Sequence, residues 1–168
     1  MQTLAQNFGI AMYMTPVARS NDSSIDTPAA QTAWINMKGY SKATFIMQCG
    51  AMTEADTVVK AYQAKSVSGS SQSSTALAMT HYWSNKASTA TAILTRTAAA
   101  SSGVVVDATN NATYVFEVDA KQLNATSNFN CIGLVFTGIS AATLFGINVI
   151  LHPARYAADP MIVNANVD

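Results

Sequence analysis

CIGLVFT (residues 131–137) and FGINVIL (residues 145–151) are the two stretches of sequence that decide the fold class. Each is short, nearly free of polar residues, and rich in the β-branched and aromatic side chains that fit a pleated surface. Such short runs match ordinary strands better than buried helices, which are longer. Because neither run alternates regularly between apolar and polar residues, we predict that both strands are covered on both faces, as in the middle of a sandwich sheet.

Further strand patterns precede these two runs. Residues 57–65 alternate, with Val59, Ala61 and Gln63 on one face, and residues 114–118 alternate in the same way. This period of two is typical of strands that lie between a core and solvent. Shorter apolar runs predict strands at residues 43–48, where Gly50 ends the run, and at residues 91–95 and 104–106.

Helix signals are scarce, and polar connectors separate the strands. Residues 119–124 predict one capped turn, with Asp119 at its start and Asn124 at its end. The connectors lie at residues 66–75, 98–103 and 107–113. Closely spaced strands with few helices predict an all-β fold, an antiparallel β-sandwich, for which we expect a jelly roll with extended terminal arms.

The length of 168 residues indicates one domain with a substantial core. We divide it into an N-terminal arm and first strand (residues 1–30), a β-sandwich domain (31–156) and a C-terminal tail (157–168). The first ten residues lack the basic segment and long apolar core of a signal peptide. No apolar run is long enough to span a membrane as a helix.

Charge is unusually scarce in this chain. Nine Lys and Arg balance nine Asp and Glu, and charged residues make up 11% of the sequence, against about 25% in an average soluble domain. This composition argues against nucleic-acid binding and against a polybasic membrane anchor, because both need surplus positive charge. A surface of hydroxyls, amides and alanines repels its own copies weakly, which favours a subunit of an assembly.

Two cysteines, Cys49 and Cys131, lie far apart and match no metal-binding or redox spacing. We interpret them as two buried thiols that act as small apolar side chains. A disulfide between two strands is the alternative, although the missing signal peptide favours a reducing compartment.

The search for reactive groups predicts no catalytic, cofactor-binding or metal-binding residue, so we expect a protein that is not an enzyme. No Gly-x-Ser-x-Gly elbow is present, and the glycines are too scattered for a phosphate-binding loop. Three sets of residues are considered, and each has an ordinary structural explanation. They are His81 and His152 as zinc ligands, the carboxylate pairs Glu54–Asp56 and Glu117–Asp119 for glycoside hydrolysis, and Asp107, Asn110 and Asn111 as calcium ligands.

Aromatic residues keep a binding module open as an alternative. Tyr82 and Trp83 are adjacent, so on a strand one ring faces the core and the other faces solvent, and Trp34 lies in another strand candidate. An exposed ring could pack on a partner protein or stack on a sugar. Asn-x-Ser/Thr triplets begin at Asn21, Asn111 and Asn124, which chance explains in a chain this rich in Asn, Ser and Thr.

Several segments, taken in order, resemble a known group of proteins. They are AWINMKGY (33–40), ATFIMQCG (43–50), YVFEVDAKQL (114–123) and NVILHPARYAADPM (148–161). The chain resembles, over residues 30 to 160, the small β-sandwich proteins encoded near the major capsid gene of tailed bacteriophages. Some of these are jelly-roll capsid decoration or cement proteins. The most specific part is PARYAADP (153–160), whereas residues 66–88 match nothing in the group.

This resemblance implies a non-enzymatic virion structural protein that decorates the capsid exterior and bridges neighbouring major capsid subunits. The implied partners are the major capsid protein and further copies of the chain itself, as a homodimer or homotrimer. Assembly would take place in the bacterial host cytoplasm. A receptor-binding or glycan-binding module and a tail or connector component of the virion are the alternative functions.

Overall fold

The computed structural model describes residues 8–19, 34–52, 57–67, 74–85, 93–106, 111–139 and 143–152. The described chain forms eleven strands. They are β1 (Gly9–Arg19), β2 (Ile35–Asn36), β3 (Lys42–Met52), β4 (Thr57–Ala64), β5 (Ser74–Leu77), β6 (His81–Asn85), β7 (Thr95–Ala98), β8 (Val104–Val106), β9 (Thr113–Asp119), β10 (Cys131–Thr137) and β11 (Thr143–Leu151).

Two antiparallel sheets pack face to face, so the prediction of an all-β sandwich is confirmed. The first sheet has six strands in the order β1-β11-β3-β9-β6-β7. The second has the order β2-β10-β4-β5, and β8 pairs with the end of β4 that β5 leaves open. The β6–β7 hairpin extends the first sheet beyond β9.

The connectivity of the other strands is that of a jelly roll. Taken along the chain, β1, β3, β9 and β11 belong to the first sheet, whereas β2, β4, β5 and β10 belong to the second. The chain therefore crosses between the sheets at nearly every connection, as two Greek keys require. The strand β1 pairs with β11 from Gly9 to Arg19, so the sandwich also includes residues ahead of the predicted boundary at residue 31.

The core lies between the sheets and follows the alternation of the sequence. In β9, Tyr114, Phe116 and Val118 are buried, whereas the residues between them are half-exposed. Phe116 lies opposite Phe45 of β3, and neither side chain is accessible to solvent. Apolar area removed from water in this way is the main source of stability for a domain of this kind.

The strand β10 is covered on both faces, as its sequence predicts, because an aromatic ring lies over its outer side. Residues Cys131 to Phe136 are all buried. Trp34, with 4% of its surface exposed, packs with Cys131 and Ala64 in a small cluster separate from the main core. A Cβ atom at Gly133 would lie 3.0 Å from Trp34 Cε3, so glycine is needed for the close approach of the indole ring.

Three details of the predicted strands are wrong. The strand β11 is not covered on both faces, because nothing comparable to Trp34 lies over it in the described part of the chain and Asn148 is exposed. Gly50 does not end β3, which continues to Met52. The strand predicted at residues 91–95 is displaced to Thr95–Ala98, with Ile93 and Leu94 exposed before it.

The predicted helical turn is present, but its end differs from the expectation. Asp119 precedes a 3-10 turn over Ala120–Gln122, and the Gln122 side chain accepts a hydrogen bond from the Asp119 N–H at 3.0 Å. Leu123 ends this turn, and Asn124 instead starts a second turn over Ala125–Ser127. Its amide oxygen accepts from the Ser127 N–H, which is the ordinary role of Asn at a helical start. The predicted terminal arms lie largely outside the described residues.

Candidate interaction surface

Among the residues that the structure describes, those considered for chemistry are not brought together into a reactive site. Glu117 forms an ion pair with Lys42, whose Nζ lies 3.1 Å from Oε2, and both side chains are about one-third exposed. Asp119 pairs instead with Lys121 at 3.6 Å. In the described ranges, no three His, Cys, Asp or Glu side chains are grouped closely enough to hold a metal ion.

The two histidines lie in different parts of the fold and have different surroundings. His152 follows β11, and its Nε2 lies 2.7 Å from the Thr44 hydroxyl oxygen. Its ring also packs edge-on against Phe8 with the centroids 5.4 Å apart. His152 therefore has the packing role that the sequence predicts, whereas His81 begins β6 and is half-buried.

Of the remaining predicted candidates, the structure describes Asn111. Asn111 adopts a left-handed backbone with φ of 58° in a turn, a conformation that Asn tolerates better than most residues. Glu54, Asp56, Asp107, Asn110 and Asn21 lie outside the described residues.

Both thiols are buried and neutral, as predicted, and neither forms a disulfide. Burial raises the pKa of Cys49 to about 12 and that of Cys131 to about 11. The thiolate is the nucleophilic form, so these groups are inert at neutral pH. The Cys131 thiol donates a hydrogen bond to the Asn130 side-chain oxygen at 2.9 Å.

The feature with the clearest capacity for binding is the side of the six-stranded sheet that faces away from the core, which we call the outer face. Strand register places one residue from each strand in a line across it, which we call the transverse row. Its members, in spatial order, are Met12, Asn148, Ile46, Val115, Trp83 and Arg96. With strands about 4.8 Å apart, the row spans about 24 Å. Four of its six side chains are apolar, which is unusual for a solvated sheet face.

A second line of residues runs beside the transverse row. It contains Ile10, Ile150, Thr44 and Glu117 in adjacent strands. Ile10 is 49% exposed and Met12 is 52% exposed, and Leu144 adds a third exposed apolar side chain to the same face. The ionic groups near these lines are few and partly neutralised, since Lys42 and Glu117 pair with each other. The outer face therefore places the apolar side chains of the transverse row and Ile10 next to a small polar cluster. This cluster consists of Lys42, Thr44 and Glu117.

Tyr82 and Trp83 face opposite sides of the sheet, as their adjacent positions in β6 predict. Tyr82 packs against the core and stacks on Tyr114 with the centroids 6.3 Å apart. Trp83 lies on the outer face between Val115 and Arg96. Both rings are half-buried, so the expected contrast between a buried and an exposed ring is wrong. The reason is that β6 has only the short strand β7 on its far side.

Sequence reasoning missed most of the outer face. The stretch GIAMYM at residues 9–14 alternates Ile10 and Met12 with Ala11 and Tyr13, and this alternation could have predicted one exposed apolar side. The sequence could not have shown that Ile46, Val115 and Arg96 lie on the same face as Ile10 and Met12, because their alignment depends on strand order.

Comparisons with protein-family models, with characterised proteins and with solved structures found no significant match. In the part of the chain that the structure describes, no helix is long and apolar enough to cross a membrane.

Proposed function

We propose that this protein is a non-enzymatic structural component of a bacteriophage virion that decorates the capsid exterior and bridges neighbouring major capsid subunits. The apolar transverse row on the outer face is the observation that carries the proposal. A sheet face of this length with so few charges is suited to lie against another protein surface. The resemblance of the sequence to capsid decoration proteins supports the capsid shell as that surface.

The architecture supports a role that depends on rigid surfaces rather than on chemistry. One core of buried side chains joins the two sheets, with Phe45 and Phe116 from the first and Phe136 from the second. The outer face therefore has little freedom to deform. The two thiols are buried and protonated at neutral pH. The carboxylates Glu117 and Asp119 are each paired with a lysine on the surface.

Cementing in this proposal means preferential binding to one state of the shell. A protein that binds the expanded shell more tightly than the unexpanded shell stabilises the expanded state by mass action. Because a capsid presents many identical sites, weak individual contacts add up, and a protein with two or more copies of the binding face gains further from avidity. A homodimer or homotrimer on the virion exterior would meet this requirement.

The test is a titration of the purified protein onto capsids of the source phage that lack it, followed by sedimentation. Saturable binding at a fixed ratio to the capsid subunit, with raised resistance of the capsid to heat, is the expected result. Absence of binding to expanded capsids would overturn the proposal.

A matched pair of variants locates the binding face. Replacing Ile46→Thr together with Val115→Thr removes apolar groups from the middle of the transverse row while keeping β-branched side chains. Val105→Thr makes the same kind of change on β8 of the other sheet, where Val105 is 48% exposed. We expect only the first variant to weaken capsid binding.

Recognition of a glycan or receptor is the second candidate, because Trp83 presents an aromatic ring on the outer face in register with Arg96. A half-exposed indole beside a guanidinium can stack on a sugar and donate hydrogen bonds to its hydroxyls. Glycan binding that Trp83→Ala abolishes in a folded protein, without any capsid binding, would favour this candidate. Labelling of the protein along the intact particle would distinguish the capsid from a tail or connector position.

A further inference from the structure

The strand β1 is a long edge strand with two unlike halves. It pairs with β11 on one side, and among the described residues no strand pairs with its other side. Its second half carries Pro16 and Arg19 and shifts register between Met12 and Met14 and again between Met14 and Val17. Proline, charge and bulges are the features that prevent edge strands from pairing with other chains. The first half, from Gly9 to Met12, has none of them.

The other edges of the sandwich contrast with this half of β1. The strand β7 at the opposite end of the first sheet is four residues long and carries Arg96. In the second sheet, β2 has two residues, β8 has three, and β5 has four, of which Ser74 and Thr75 are polar. Short or charged edges offer little to a partner strand. Gly9–Met12 is therefore the edge segment of the described structure that is best suited to pair.

This segment is complementary to itself in an antiparallel arrangement. If two copies align about a twofold axis at Ala11, Ile10 of each copy lies opposite Met12 of the other, on the outer face. Side chains directly opposite each other in an antiparallel pair are about 5 Å apart and pack together. The exposed Ile10 and Met12 would then cover each other in two equivalent apolar contacts, and no charged residue occurs from Gly9 to Met14.

We propose that β1 of one copy pairs with β1 of a second copy about a twofold axis at Ala11. The two six-stranded sheets then form one continuous sheet of twelve strands. The transverse row of each copy, which ends at Met12, continues across the axis into the second line of the other copy, which begins at Ile10. We take the partner strand to come from a second copy, because one register makes the same Ile10–Met12 contact twice, once from each chain. Such equivalent contacts are what an isologous interface requires. The zero net charge of the chain adds no repulsion between the copies.

Pairing over so short a segment buries less area than a stable dimer usually does. We therefore expect a concentration-dependent dimer with a dissociation constant above about 1 μM. Such a dimer would be strengthened wherever copies are held close together, because binding next to a neighbour is then effectively intramolecular. The inference does not depend on the proposed capsid function, since it concerns the purified protein alone.

Sedimentation equilibrium of the purified full chain from about 10 μM to about 1 mM tests the association. We expect a reversible equilibrium between one and two chains. Met12→Lys and Ile10→Lys should each raise the dissociation constant about tenfold or more, because the twofold axis makes each substitution act on both contacts. The control is Val105→Lys, which introduces the same charge at an equally exposed position on the second sheet.

Cysteine crosslinking tests the register. Ala11→Cys places two thiols directly opposite each other, within the Cα separation that a disulfide spans. Met12→Cys places them at diagonal positions about 7–8 Å apart, beyond that range. Under mild oxidation we expect a covalent dimer from Ala11→Cys and none from Met12→Cys. The native thiols do not interfere, because Cys49 is 5% exposed and Cys131 is 1% exposed.

Each contrary outcome overturns the proposal. A chain that stays monomeric throughout the concentration range has no such interface. A dimer that survives both lysine variants, when circular dichroism shows that they are folded, uses another surface. Species larger than two chains are also incompatible with a closed twofold pair. Failure to bind capsids, by contrast, would refute the proposed function and leave this dimer unaffected.

Discussion

Gly133→Ala is the substitution whose consequences the structure defines most sharply. The added methyl carbon would lie 3.0 Å from Trp34 Cε3, 3.1 Å from Trp34 Cζ3 and 3.2 Å from the Tyr13 hydroxyl oxygen. Favourable carbon–carbon contacts lie at about 3.5–4.0 Å, so the indole ring must retreat by about 0.5 Å. It has little space to do so, because Trp34 is 4% exposed.

Three contributions determine the change in the free energy of unfolding. Overpacking of a closed site costs about 1–3 kcal/mol. Displacing Tyr13 weakens the hydrogen bond that the Leu134 N–H donates to its hydroxyl at 2.8 Å, which costs about 1 kcal/mol. Replacing glycine by alanine restricts the unfolded chain and returns about 0.4–1 kcal/mol. The net loss is about 1–3.5 kcal/mol, which lowers the Tm of a domain of this size by roughly 2–14 °C.

Urea unfolding followed by tryptophan fluorescence measures this loss, and near-ultraviolet circular dichroism reports whether the ring has moved. A Gly133→Ala variant as stable as the natural protein would refute the explanation that Gly133 is needed for the approach of Trp34. Tyr13→Phe supplies a second check, since it removes the hydroxyl that the methyl group crowds. The double variant should lose at least about 0.5 kcal/mol less than the sum of the single variants, and simple additivity would show that Tyr13 takes no part in the strain.

Three further outcomes are expected. Phe116→Ala should lower the free energy of unfolding by about 3–5 kcal/mol in urea titrations, because the fully buried ring packs opposite Phe45 and its removal leaves a cavity. A loss below about 1 kcal/mol would contradict this packing. The free energy of unfolding should fall as the pH rises from about 9 towards 12, because the thiols ionise in the unfolded chain while burial keeps the pKa of Cys49 at about 12 and that of Cys131 at about 11. In the folded protein both thiols should also resist a thiol reagent at pH 8. Fast labelling would refute their burial. Glu117→Gln should change the free energy of unfolding by less than about 1 kcal/mol, because its ion pair with Lys42 is about one-third exposed. A larger loss in thermal melts would show that the contacts of Glu117 with Lys42 and Thr44 are structurally important.

The strands and the faces of the strands could largely be predicted from the sequence. In β4, Val59, Ala61 and Gln63 share the buried side as their alternation predicts, and β10 begins and ends where the apolar run does. These features are local, because successive side chains on a strand point to opposite faces whatever lies beyond them. The displaced strand β7 is the counterexample. It pairs only at the edge of a sheet, so the partner strand rather than apolar periodicity selects its residues.

The candidate surface depended much more on the tertiary structure. Met12, Ile46 and Val115 lie far apart in the sequence and are aligned only by the order and register of β1, β11, β3 and β9. No local pattern encodes that order, because pairing is decided by how the whole set of apolar faces is buried together. The difference between β10 and β11 has the same origin. Their sequences are similarly apolar, and only the position of Trp34 over Gly133 shows which one is covered on both faces.

By itself, then, the sequence determined the all-β class, the alternation of the strands, the buried state of the two thiols and the low charge of the surface, since each follows from composition or from a period of two. Only the tertiary structure decided which apolar side chains remain exposed together and which edge strand is unpaired on one side among the described residues. Exposure and pairing are properties of the assembled sheets, because a side chain is buried or left uncovered by residues that are distant along the chain.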